Sequence, residues 1–228
     1  MLHLPAGRVP AATAVHQPPA RGIRVVFCDW HGVLSHDRFW QRLAAADTRV
    51  AAAVAELFAD GNLVRAWMRG ERTDQEICGW LAAGCRRDGT DLHEALLADV
   101  RRFSADPAVL ALLDALPGYV RRVLATDNMR CFAEQWPAMG ALHEHFERLV
   151  CSASVGALKG QPHRFFGETL AELGVDFVEC LLIDDSQFNC RRFRKAGGQA
   201  LRFRDTAQAA AEIAALTAPV SSARACAA

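Results

Sequence analysis

An α/β fold with a mainly parallel sheet, interrupted by an all-helical insert after the first strand, is predicted from three features of the sequence. In the second half of the chain, short apolar or β-branched runs alternate with helix-length patterns, the arrangement expected of strands joined by crossover helices. About ninety residues separate the first such run from the second, more than a crossover helix or a structureless loop occupies. The 228 residues, 51% of them hydrophobic, suffice for one sizeable core or for a core with an inserted subdomain.

The elements follow in chain order. "MLHLPAGRVPAATAVHQPPARG" (1–22) is interrupted by prolines and lacks a continuous apolar stretch, so it reads as a loose tail and not a secretory signal. "IRVVFC" (23–28) is the first strand. Residues 37–105 read as helical throughout: "DRFWQRLAAADTRVAAAVAELFADG", "NLVRAWMRG", "TDQEICGWLAAGCRRDG" and "DLHEALLADVRRF", with Thr73 or Asp74 available as a cap and Glu76 close behind. "DPAVLALLDALPG" (106–118) returns the chain to the sheet as a helix. Strands are then expected at "YVRRVLAT" (119–126), "FERLVCSA" (146–153), "CLLIDD" (180–185) and, more weakly, "QALRF" (199–203). The helices between them are "MRCFAEQWPAMGALHEHF", "PHRFFGETLAELG" and "SQFNCRRFRKAGG", the last two closing on glycine. The predicted organisation is a tail (1–22), a core (23–36 and 106–216), a helical insert (37–105) and a C-terminal tail (217–228).

Composition narrows the partners. Twenty-six basic and 26 acidic residues cancel, so no global field draws the chain to nucleic acid or to an anionic membrane. No stretch reaches the roughly 18 uncharged apolar residues of a membrane span. The eight cysteines form no C-x-x-C pair and several sit in apolar runs, which fits free buried thiols in a reducing cytoplasm. Only two of the 26 basic residues are lysines, Lys159 and Lys195, so lysine at any one basic position is expected about one time in thirteen. The rarity of lysine raises a functional question about each of the two; Lys195, on a basic helix face, is expected to be solvated.

Ligands of an open parallel sheet bind beyond the carboxyl ends of its strands. Asp29 follows the first strand there, Thr126, Asp127 and Asn128 end the second, Asp184 and Asp185 end the fourth, and Lys159 follows the third by several residues. Taken singly, an aspartate after a strand is most often a turn or cap residue. In this order, "VVFCDWHGVL", "VLATDN", "SASVGALKGQPHRFF" and "LLIDDSQFNCRRFRKAGGQAL" resemble the four motifs of the haloacid dehalogenase-like hydrolase superfamily, from residue 23 to 205. "MRGERTDQEI" (68–77) is similar to the cap segment of members whose helical cap is inserted after motif I.

The resemblance implies a Rossmann-like hydrolase core, a helical cap over residues 37–105, and Mg²⁺-dependent hydrolysis of a small phosphorylated metabolite. Asp29 would be the nucleophile. Mg²⁺ would be held by Asp29, the backbone carbonyl of His31 and Asp185, with Asp184 bound directly or through water. Thr126 would donate to a phosphoryl oxygen, Asp127 and Asn128 would border the substrate, and Lys159 would offset the negative charge and orient Asp29. Asn189, four residues after Asp185, takes a place where a second acid is common. Asp127 is expected to face away from the substrate and cap the helix that follows.

His31 stands where phosphatases of that superfamily usually carry the aspartate that shuttles the proton. Three roles are open to it. The first is to replace that aspartate, since imidazole titrates near neutrality; the second is a lost shuttle, leaving substrates such as acyl phosphates; the third is another reaction, such as dehalogenation. A catalytically quiet relative that binds a phosphorylated ligand is the reading outside enzymes. Monomer and homodimer are both compatible with the sequence.

Overall fold

The structure is a computed structural model and describes residues 22–217; the two predicted tails lie outside these apart from their innermost residues. Five parallel strands form one sheet, β1 (Val25–Cys28), β2 (Arg121–Thr126), β3 (Arg148–Cys151), β4 (Cys180–Asp184) and β5 (Gln199–Arg202), in the spatial order β3-β2-β1-β4-β5. Every residue of β1 and β4 is buried, which is why both read as unbroken apolar runs: a parallel sheet is covered on both faces. Alternation along β1 sends Val25 and Phe27 into one core, with Phe166 and Phe193, and Val26 and Cys28 into the other.

Five helices fill the interval between β1 and β2: α1 (Gln41–Ala46), α2 (Thr48–Ala59), α3 (Gly61–Met68), α4 (Asp74–Cys85) and α5 (Gly89–Val100). The continuous helix expected from residue 37 begins only at Gln41 and breaks at Asp47. That residue is extended, with φ −139°, and its carboxylate accepts from the Arg49 amide, so it starts a new helix instead of prolonging the old one. Asp60 caps α3 in the same way, and Thr73 with Glu76 forms the reciprocal capping box of α4. Trp40 is held at φ 54° by its surroundings: its indole N–H donates to the Leu92 carbonyl and its ring stacks on Trp67.

The remaining helices are α6 (Pro107–Asp114), α7 (Arg130–Gln135), α8 (Ser152–Val155), α9 (Pro162–Leu173), α10 (Gln187–Lys195) and α11 (Thr206–Thr217). The long helix expected over 129–146 is cut to α7 followed by two short 3₁₀ turns. Pro137 lacks an amide proton, and its ring collides with the carbonyl four residues back. The third strand is shorter than expected because Ser152 already begins α8. Helix α9 ends as predicted, with Gly174 in the left-handed region at φ 63°.

Hydrogen bonds from the Arg49 side chain and amide, and then from Arg87, hold the Asp47 carboxyl down at about 2. A carboxylate lowered on folding stabilises above its unfolded value, near 4, and that contribution is lost as the pH falls through the folded value. Asp47→Asn is therefore expected to melt at a lower temperature at neutral pH, with the gap to the parent protein closing between about pH 4 and pH 2 in calorimetric scans.

Candidate active site

Parallel strands all end on one side, and the register decides which residues meet there. Cys28 lies opposite Leu124 on β2 and Ile183 on β4, so Asp29 and Asp184 leave their strands as neighbours. The Asp29 amide donates to the Ile183 carbonyl at 2.9 Å, which ties the two strand ends together. Asp185 follows at once. One carboxylate oxygen from each of Asp29, Asp184 and Asp185 lies within 4.8 Å of the others.

Lys159 enters this cluster from the loop between α8 and α9. Its ammonium is 2.6 Å from Asp29 Oδ2 and 2.7 Å from Asp184 Oδ2, and the residue is only 1% exposed. The other Asp29 oxygen accepts from the Trp30 amide at 2.7 Å. Asp184 accepts in addition from the Ser186 amide and from the Asn189 side chain, so Asn189 contributes a donor where the resemblance led one to expect an acid. Removing one partner from such a buried set costs about 3–5 kcal/mol, because the charge left behind has no compensation. Lys195, as expected, is exposed.

Burial would lower the Lys159 pKa, but Asp29, Asp184 and Asp127 outweigh it and hold the ammonium above its ordinary value. Burial pushes the Asp29 carboxyl well up; Lys159 opposes that and Asp184 adds to it. Burial also raises Asp185 and Asp127. One ammonium among four carboxylates leaves the site short of positive charge. That donor set, hard oxygens with spare lone pairs, fits an ion such as Mg²⁺.

The turn after β1 brings the first motif against the fourth. The amides of Leu34 and Ser35 both donate to the Trp30 carbonyl, and Gly32 sits at φ 83° with the Asp185 carboxylate where a Cβ would lie. Only glycine satisfies both the dihedral and the close approach. Thr126, at the end of β2, is 1% exposed, and its hydroxyl is buried without a hydrogen-bond partner. An orphaned donor at this place suits a ligand oxygen.

Asp127 corrects an expectation. It does not cap α7, whose cap residue is Met129 and carries no side-chain bond; it turns to the Lys159 loop and accepts from the Lys159 amide at 2.9 Å. The amide it satisfies belongs to the residue that the cluster needs in place. The Asn128 oxygen accepts from the Met129 amide, and its backbone N–H donates to Ser152 Oγ. Ser152 in turn donates to the Met68 carbonyl at 2.6 Å, joining α3 of the insert to the sheet. That contact spans 84 residues of sequence, and no local pattern announces it.

His31 is exposed at the rim; burial of its ring lowers its pKa and Asp185 opposes this. With Trp30, Asp127 and Asn128 it borders a cavity of about 580 Å³ whose opposite side is formed by α1 and α2. Phe39, Phe58 and Phe103 also line it, and nothing in the sequence pattern singled them out. Asp37, ahead of α1, accepts from the Ser104 amide at 2.7 Å, and the Asp106 amide donates to the Leu34 carbonyl, so the two connections to the insert are fastened together. All seven cysteines among the described residues are free and buried, none of them in the cluster; Cys226 lies outside those residues. No helix among the described residues is long and apolar enough to cross a membrane.

No protein-family model matches the sequence, and no curated protein matches it. Solved structures do. A haloacid dehalogenase (HAD) family enzyme from Bacteroides thetaiotaomicron, in complex with magnesium and inorganic phosphate, superposes with a TM-score of 0.65 at 19% identity, over 80% of this chain and 95% of that one. A predicted HAD-like family hydrolase from Porphyromonas gingivalis gives 0.67 at 18% identity, over 84% and 97%. An L-2-haloacid dehalogenase from Xanthobacter autotrophicus, with chloropropionic acid covalently bound, gives 0.60 at 16% identity, over 87% and 85%. The strand order, the helices between β1 and β2 and these likenesses agree: the chain has the fold of the haloacid dehalogenase-like hydrolases.

Proposed function

We propose that this protein is a Mg²⁺-dependent phosphatase-type hydrolase that acts on a small phosphorylated metabolite through an aspartyl-phosphate on Asp29. The observation that carries this reading is the convergence of Asp29, Asp184 and Asp185 within 4.8 Å around the buried ammonium of Lys159. The orphaned hydroxyl of Thr126 supports it, as do the magnesium and phosphate in the Bacteroides enzyme. The dehalogenase likeness is the competing reading; a cluster of acids this dense favours the one that uses a cation.

Asp29, the His31 carbonyl and Asp185 would hold the ion, with Asp184, whose oxygens already accept from Lys159, Ser186 and Asn189, reached directly or through water. Bound there, Mg²⁺ neutralises the phosphoryl oxygens that would otherwise repel a carboxylate nucleophile. Thr126 donates to one of those oxygens and Lys159 orients Asp29. An Asp29 oxygen attacks phosphorus, the bond from phosphorus to the alcohol oxygen breaks, and His31 gives that oxygen its proton. His31 then takes a proton from water as the water attacks the aspartyl-phosphate, which releases inorganic phosphate and restores the carboxylate. Asp127 and Asn128 border the leaving group, and the helices of residues 37–105 act as a cap that keeps bulk water out. The free cysteines agree with a cytoplasmic setting.

Phosphate release measured over a panel of phosphate esters tests this directly. Activity is expected to need Mg²⁺ and to fall to background in Asp29→Asn. His31→Ala is expected to lose about 10²–10⁴-fold and His31→Asp to keep or raise turnover. Halide release without added metal, or full phosphatase activity in Asp29→Asn, would overturn the assignment. Metal binding has its own readout: Mg²⁺ should raise the Tm of the parent protein and not that of Gly32→Ala, whose new methyl displaces Asp185. An equal rise in both would remove Asp185 from the ligand set.

A further inference from the structure

Helix α2 has two apolar stripes, whereas a helix packed on one side needs only one. Val50, Ala53 and Leu57 make the first and are buried. Ala51, Val54, Ala55 and Phe58 repeat the same helical spacing one step round; they face the cavity of about 580 Å³ beside the catalytic cluster, and Phe58 is 43% exposed. Ala44 of α1 extends this wall. The facing side is apolar too, with Phe39, Met68, Phe103 and Met129.

Several polar acceptors on the cavity are already occupied. Asp37 accepts from Ser104, the Asn128 oxygen from the Met129 amide and the Gln41 oxygen from the Arg38 amide. One buried donor has no partner: Trp30 lines the cavity, is 1% exposed, and its indole N–H makes no hydrogen bond. A sugar or nucleoside lying on the α2 wall would lose water from many polar groups and find no side-chain hydrogen-bond partner among Ala51, Val54, Ala55 and Phe58, whereas hydrocarbon gains by its burial alone. The volume lies in the range that encloses a ring-sized organic body.

We propose that the substrate is the phosphate monoester of an apolar alcohol. Its hydrocarbon body lies against the second stripe of α2, and it offers a single acceptor to the Trp30 indole. This rests on the phosphatase reading above and names the substrate class of that same site.

Cyclohexylmethyl phosphate and glucose 6-phosphate both release a primary alcohol carrying a six-membered ring, so they differ chiefly in the polarity of the body. With Mg²⁺, kcat/KM is expected to favour the cyclohexylmethyl ester by about 100-fold. Val54→Asp, which puts a charge on the wall, and Ala55→Trp, which fills the space without one, should each reduce that ratio by about tenfold or more. Calorimetric titration of both esters into Asp29→Asn, with and without Val54→Asp, reads the same preference with hydrolysis removed. Hydrolysis that favours glucose 6-phosphate, or neither ester, overturns the substrate class and leaves the phosphatase reading standing. Selective binding of the cyclohexylmethyl ester that Val54→Asp abolishes, with no hydrolysis by the parent protein, upholds the apolar specificity and overturns the hydrolysis. Absence of selective binding overturns the proposal in either case.

Discussion

Negative charge gathered at the ends of β1 and β4 is the constraint on which the rest of the site depends. Two carboxylates at 4.8 Å repel each other by about 3 kcal/mol at an effective dielectric of 20, and here three of them are that close. The parallel sheet imposes the proximity, because strands that run the same way must deliver whatever follows them to one edge. Lys159 makes the arrangement tolerable. The loop that presents it is itself pinned by Asp127, so an acid outside the three-carboxylate cluster sets the position of the ammonium inside it. Asn189 adds hydrogen bonds to Asp184 without adding charge, a restraint that a further carboxylate could not supply.

Charged groups and apolar walls are divided between the two parts of the chain. The strand ends contribute the charged and hydrogen-bonding groups, held by backbone register and by buried ion pairs. The inserted helices contribute mainly hydrocarbon; Ser152 of α8 donates to the Met68 carbonyl of α3, while Asp37 with Ser104, and the Asp106 amide with the Leu34 carbonyl, fasten the two connections of the insert together. These ties involve none of the side chains of α2 that line the cavity.

His31 belongs to both parts. Its backbone lies in the turn that brings Gly32 against Asp185, while its ring borders the cavity with Asn128 and Asp127. A ligand role assigned to its carbonyl is indifferent to the side chain; a proton-transfer role is not.

The strands, their order in the chain, the presence of a helical insert and the identity of every acid in the cluster could be read from sequence, because they follow from local rules: apolar runs, capping residues such as Thr73 with Glu76, and polar residues at strand ends. The two lysines could be weighed from composition alone, and the buried one proved to be Lys159. Three other points were decided by tertiary structure. Asp127 turns toward the Lys159 amide, thirty-two residues away, and not to its own helix, where the Asn128 oxygen already accepts from the Met129 amide. The insert meets the sheet through Ser152 and Met68, a pairing with no periodicity to reveal it. In "VAAAVAELFA" the sequence displays two apolar stripes, but only the packing of α2 against its neighbours determines which one is core and which one faces a cavity. Local patterns determine what a residue can do, and long-range packing determines what it is next to.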